Sequence, residues 1–243
     1  MQANIPLQIL SGSSREIPMQ HPNSAVIEAV VNRRSVRRFQ STPVSADVIT
    51  AILSAASRAP SGTNFQPWHV HVVTGVTRDN LSRAATRAAE AGELSAEYHY
   101  APTPVPEPYL SRRRKVGFEL YKLSGIARDD FAARKQAMLR NFEFFGAPVG
   151  LFFTMERSLL LGSWLDCGMF MQNVMILARA HGLETCPQQA WCEYGRVVHE
   201  QLRIPDTHIM LSGMALGHID PDAPENRLIT DRVGTEDFAV FHE

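Results

Sequence analysis

Only three cysteines occur in 243 residues, Cys167, Cys186 and Cys192, too few for a disulfide framework, and no C-x-x-C pair offers zinc or thiol redox chemistry. A reducing, cytoplasmic compartment is therefore expected. An excess of charge is missing too: 24 Lys and Arg stand against 25 Asp and Glu, so no global positive field exists to hold nucleic acid or an anionic membrane. Neither is expected as a partner. Long apolar runs are lacking; the best candidate, Leu159 to Ala178, is interrupted by Asp166, Gln172 and Asn173 and reads as a buried helix rather than a membrane span. Residues 1–24 lack the apolar core of a signal peptide, so export is not expected. No Gly-x-Gly-x-x-Gly loop follows a strand, which argues against a resident dinucleotide. With no internal repeat and no clear boundary, 44% hydrophobic residues suffice for one domain over 1–243. Within it, 1–22 is an N-terminal extension.

What is present sorts by period. Val26, Ile27, Val30 and Val31 predict a helix from Ser24 to Asn32, with Asn23 or Ser24 as cap. Ser45 caps a second, carried by Val48, Ile49, Ile52, Leu53 and Ala56 and stopped by Pro60. Trp68 to Thr74 reads as a strand, and an alanine-rich helix follows from about Arg78 to Leu94. Four prolines among tyrosines between Tyr98 and Tyr109 forbid a central strand or continuous helix there. Amphipathic helices are expected over Ser111–Leu123 and Asp129–Asn141, then a buried strand over Pro148–Met155. A helix from about Leu159 to His181, capped by Gly182, carries small residues that let another helix approach closely. Strands at Thr185–Ala190 and His208–Leu216 flank a short helix near Tyr194–Leu202. The tail after Gly217 reads as an extended arm. About four strands separated by helices imply an α+β domain whose central sheet is mixed or parallel and covered on both faces.

Two polar clusters stand out. Arg33-Arg34-Ser35-Val36-Arg37-Arg38-Phe39 offers four guanidiniums and a hydroxyl, planar donors suited to phosphate. Taken alone it reads better as a solvated complement to a helix C-terminus, since four like charges side by side repel unless an anion shares them. Ala59-Pro60-Ser61-Gly62-Thr63-Asn64-Phe65-Gln66-Pro67-Trp68 packs amides and hydroxyls into a rigid junction that could face a ligand or simply cap a turn.

In this order, about twenty residues apart, the two clusters resemble the FMN-dependent nitroreductase family. Further matches are Trp164-Leu165-Asp166-Cys167-Gly168 through Gln172-Asn173 to Gly182-Leu183, then Cys186-Pro187-Gln188-Gln189, then Leu216-Gly217, Asn226-Arg227 and Thr230-Asp231-Arg232. The resemblance implies a nitroreductase-like fold in an intertwined homodimer, with FMN at the subunit interface and a C-terminal arm (218–243) exchanged between subunits. It implies that Arg33, Arg34 and Ser35 hold the FMN phosphate and ribityl chain, with Arg232 closing on the phosphate. Arg37 would lie at the flavin's pyrimidine edge, where a fixed cation stabilises the charge gained on reduction. Pro60, Ser61, Asn64 and Gln66 would meet the flavin from the partner, and Pro187, Gln188 and Gln189 would pass the edge carrying N5. Many relatives have Glu-Gly where this chain has Gln188-Gln189, a pair similar to the nitrobenzoate-reductase branch.

The function so implied is reduction of nitroaromatic compounds to nitroso and hydroxylamino products by NADPH or NADH in a ping-pong cycle, with FMN carrying the chemistry and no catalytic side chain. Reductive dehalogenation, or quinone or alkene reduction, is the alternative within the fold, and flavin binding without turnover is the alternative outside it. A covering segment over 95–140 is expected to line the substrate pocket with Tyr98, Tyr100, Tyr109 and Arg113. His69 and His71 share a strand face, but without a third ligand nearby they read as packing or hydrogen-bonding groups rather than a metal site. Asp166 is expected to be buried against an arginine or a backbone group.

Overall fold

A computed structural model of the chain describes residues 24–242. The expected N-terminal extension, 1–22, and the Asn23 cap lie outside the described residues. Residues Met1–Asn32 separate from Arg33–Glu243 as a unit of their own, whose described part is helix α1, Ser24–Asn32.

In the larger unit, the Ser45 side chain accepts the Val48 N–H and starts helix α2, Ala46–Ala56, whose Ile49, Ile52 and Ala56 are buried along one stripe. Strand β1, His69–Thr74, turns directly into helix α3, Gly75–Ala91. Gly75 makes this abrupt turn with a φ of 50°, so the helix begins before Arg78. Helices α4, Tyr109–Leu123, and α5, Phe131–Leu139, follow the proline segment. Then come β2, Val149–Glu156, α6, Leu161–Ala180, β3, Glu184–Gln188, α7, Gly195–Leu202, and β4, His208–Gly217.

The four strands form one sheet in the order β1-β2-β4-β3, and every neighbouring pair is antiparallel. This differs from the expected mixed or parallel sheet: among the described residues the parallel contact is a single isolated bridge, Ser35 to Thr185, between the extended segment after α1 and β3. The reason is non-local. β2 and β3 do run in the same direction across α6, as a helix between strands suggests, but β4 inserts between them and pairs antiparallel with both.

Both faces of the sheet are covered, as its apolar runs require. On β2, Val149, Leu151, Phe153 and Met155 pack with α2 and α6, while Phe152 joins α3, α7 and the aromatics Phe142, Phe144 and Trp191 on the other face. Gly150 and Gly213 make that second face possible. A Cβ on Gly213 would fall 2.5 Å from the Trp191 ring and one on Gly150 would collide with Phe144. Phe144 and Trp191 themselves stack at 4.8 Å.

The tail is not wholly an arm. Asp220 N–H donates to the Arg38 carbonyl, Ile219 bridges Phe39, and Glu225, Asn226 and Leu228 are buried. Beyond it Ile229, Phe238, Val240 and Phe241 are exposed.

Candidate functional site

The arginine run is neither helical nor simply solvated. After Asn32 the chain goes extended beside β3, where Val36 N–H donates to the Thr185 carbonyl at 3.0 Å. On its other side Gln40 N–H donates to the His218 carbonyl at 2.9 Å. Val36 and Phe39 anchor the segment in the core, and the arginines between and before them are only partly exposed or lie on the surface.

Burial, and then the nearby positive charge of Arg232, hold the Arg33 guanidinium below arginine's usual range. Arg179 adds a further cation and itself donates to Glu184. The Glu184 carboxyl is pushed up by burial, opposed by Arg179, Arg34 and Arg33. Three guanidiniums thus gather around one carboxylate, with Arg232 beside Arg33, and among the described residues the buried Arg179 Nε has no partner. Like charges brought together this way suit a multiply charged anion of phosphate type.

Next to this cluster is a cavity of about 290 Å³. Arg37, Pro187, Gln188 and Gln189 line it, together with Arg140 and Tyr121. Gln188 Nε2 donates to the Asn141 carbonyl at 2.7 Å, while its buried Oε1 has no partner among the described residues. An unpaired buried acceptor invites a donor from a ligand. Cys186 also borders the cavity, but burial pushes its thiol and that of Cys192 up to about 11, and that of Cys167 to about 12. Burial thus favours the protonated thiol at all three.

The segment Pro60–Gln66 does not line this cavity. It sits against α6, where both carboxylate oxygens of the buried Asp166 lie 3.3 Å from the Gly62 nitrogen and accept its N–H. Ser61 Oγ accepts the Gln66 N–H at 3.0 Å. Thr63, Asn64 and Gln66 all have positive φ, strained conformations that this anchoring sustains. Asp166 is therefore partnered by a backbone group.

The expected substrate-facing residues separate. The Tyr98 hydroxyl donates to the Leu211 carbonyl at 2.6 Å and lies 2.9 Å from Gln189 Oε1, and its ring meets Trp164 edge-on at 4.8 Å. Burial raises its pKa strongly, so it stays a neutral anchor between the proline segment and the Gln189 turn. Tyr100, Tyr109 and Arg113 are exposed and do not line the cavity. α4 is tied to the tail by Lys115 and Asp231, 2.6 Å apart.

His69 and His71 gain a third histidine that spacing could not reveal. The His208 ring lies 4.5 Å from that of His69, and Thr154 Oγ1 is within 3.4 Å of His71 Nε2 and 3.2 Å of His208 Nδ1. Among the described residues no group of three His, Cys, Asp or Glu has a geometry that could hold a metal ion. No described helix is long and apolar enough to cross a membrane.

Arg140, Asn141, Arg179, Glu184 and Glu225 belong to the site but carry no sequence signal, because folding alone brings them to the Arg33–Arg38 segment. The fold is thus an α+β domain that brings Arg37 and a Pro-Gln-Gln turn to one cavity, beside the rest of the arginine run. A model of the nitroreductase family matches residues 30–218, and the chain belongs to that family. It is 39% identical to a nitrobenzene nitroreductase of Ectopseudomonas oleovorans, over 91% of this chain and 100% of that protein. It is 38% identical to a 4-nitrobenzoate reductase of Pseudomonas putida, over 87% and 93%. A crystal structure of the FMN and NADPH-dependent nitroreductase NfnB from Sphigopyxis sp. strain HMH superposes with a TM-score of 0.88 at 40% identity, covering 90% of this chain and 99% of that one.

Proposed function

We propose that the protein is an FMN-dependent oxidoreductase that reduces nitroaromatic compounds with NADPH or NADH. The observation that carries this is the pairing of the Arg33–Arg232 cluster with the adjoining cavity of Arg37 and Pro187–Gln189, in a chain 38–39% identical to nitrobenzene and nitrobenzoate reductases over most of its length. The residues fit the cofactor: guanidiniums that outnumber the carboxylate among them suit its phosphate, and the Gln188 oxygen, unpartnered among the described residues, suits a ring donor.

Bound FMN supplies the electron-transfer chemistry; the protein supplies position and electrostatics. Arg33, Arg34, Ser35 and Arg232 would hold the phosphate and ribityl chain. Arg37 would serve the pyrimidine edge, where its permanent charge would stabilise added negative charge. Pro187, Gln188 and Gln189 would serve the face or edge that carries N5. Pro60, Ser61, Asn64 and Gln66 would approach from the second subunit, a reading supported by their not lining the cavity within one chain. Segment 95–140 covers the site and brings Tyr100, Tyr109 and Arg113 to the substrate, while Tyr98 holds its base.

The working unit is a homodimer. Leu161, Leu165 and Met169 form an exposed apolar stripe on α6, and Gly162 and Gly168 beside them have open space above. The exposed Ile229, Val240 and Phe241 of the tail suit an arm laid on the partner. Three buried, free cysteines suit a cytoplasmic location.

The test is the visible spectrum of the purified protein under anaerobic conditions. A flavin spectrum that bleaches with NADPH or NADH and returns on adding 4-nitrobenzoate is expected; a colourless protein that takes up no added FMN overturns the proposal.

A further inference from the structure

Arginine cannot shed its charge inside a protein, so each cation of the run needs an acid, an anion or water. Those bordering the Arg37 cavity are treated unequally. Glu225 Oε1 lies 3.4 Å from Arg38 Nε and 2.8 Å from Arg140 Nη1. Arg140 also donates through Nη2 to the Arg37 carbonyl at 3.2 Å. The Arg37 side chain instead donates to the Ser35 carbonyl, and among the described residues no carboxylate pairs with it.

Glu225 is buried, with 7% of its side chain exposed. Burial alone would raise its pKa, but the hydrogen bond from Arg140 and the two cations hold it below the usual carboxylate range, so it is an anion. The adjacent Asn226 accepts the Arg37 N–H at 2.8 Å and donates to the Arg38 carbonyl at 2.8 Å. One short turn, Pro224–Arg227, therefore supplies both the carboxylate and the grip on the backbone of the two arginines it distinguishes.

We propose that Glu225, which itself borders the cavity, is a positioning residue that sorts the arginine run: it compensates Arg38 and Arg140, leaving Arg37 as the cation whose field acts on the flavin, and so sets the reduction potential through the charges it pairs. This rests on the cavity being the flavin's.

The test is the midpoint potential of the FMN-loaded protein, read by anaerobic equilibration with a reference dye. Glu225→Gln keeps the shape and an acceptor oxygen but removes the charge. It is expected to raise the potential by about a tenfold change in the reduced-to-oxidised ratio, roughly 30 mV for a two-electron couple. Arg140→Gln is expected to lower it by a similar factor, and Arg140→Lys to restore the wild-type value. If Glu225→Gln does not fold, Arg38→Gln replaces it and lowers the potential. Shifts of the same sign in the Glu225→Gln and Arg140→Gln proteins, or melting temperatures that fall while the potential stays fixed, would overturn the assignment. A wild-type protein that takes up no FMN fails separately, overturning the flavin reading and this inference with it.

Discussion

Asp166, in the second turn of α6, accepts the backbone N–H of Gly62 through both carboxylate oxygens, each 3.3 Å from the nitrogen. An acid inside an apolar helix thereby fixes a strained polar loop 104 positions away. Asp166→Ala leaves that N–H unpaired and is expected to cost about 1–3 kcal/mol of stability. Asp166→Asn, which keeps an acceptor, should cost less; urea denaturation of both proteins measures the difference.

Arg33 and Arg232 repel each other unless an anion lies between them. Arg33→Ala and Arg232→Ala should each weaken FMN binding by roughly 1.5–3 kcal/mol, about one to two powers of ten in Kd. Flavin fluorescence titration of the apoprotein reads this directly. Stoichiometric flavin retained by the double variant would refute the phosphate assignment.

The histidines at the sheet end make stability depend on pH. Burial, and then the positive form of His208, lower the pKa of His69 and of His71 below the ordinary value of 6.5. The unfolded chain therefore binds more protons than the folded one just below pH 6.5, so this contribution is complete above that pH and is lost as pH falls. The melting temperature should drop from pH 7 to pH 5, and His71→Asn should make the drop shallower.

Gly213 leaves room for the Trp191 ring, which a Cβ would approach to 2.5 Å. Gly213→Ala is expected to destabilise the protein by about 1–3 kcal/mol through overpacking. Thermal unfolding measures the loss, and near-ultraviolet circular dichroism should report the displaced indole.

Tyr100 and Arg113 are exposed in the isolated chain. If they reach substrate in the assembled enzyme, Tyr100→Ala and Arg113→Ala should raise KM for 4-nitrobenzoate roughly 3- to 10-fold, the worth of one modest contact. Steady-state kinetics at saturating NADPH tests this, and unchanged KM in both would remove them from the pocket.

Local pattern was enough for much of this molecule. The 3.6-residue spacing of Ile49, Ile52 and Ala56 fixes α2, the unbroken apolar run from Val149 fixes β2, and Gly182, at a φ of 69°, marks the end of α6. The Arg33–Arg38, Pro60–Gln66 and Cys186–Gln189 segments stood out as candidate clusters because each carries its polar groups within ten residues. Register and partners were not. The insertion of β4 between β2 and β3, the Gly62 hydrogen bond to Asp166, the third histidine beside His69, and the choice of Glu225 to compensate Arg38 and Arg140 rather than Arg37 all join positions far apart in the chain. Propensity and period act over a few residues, whereas a hydrogen bond or ion pair depends on distances that exist only after the sheet has closed its core.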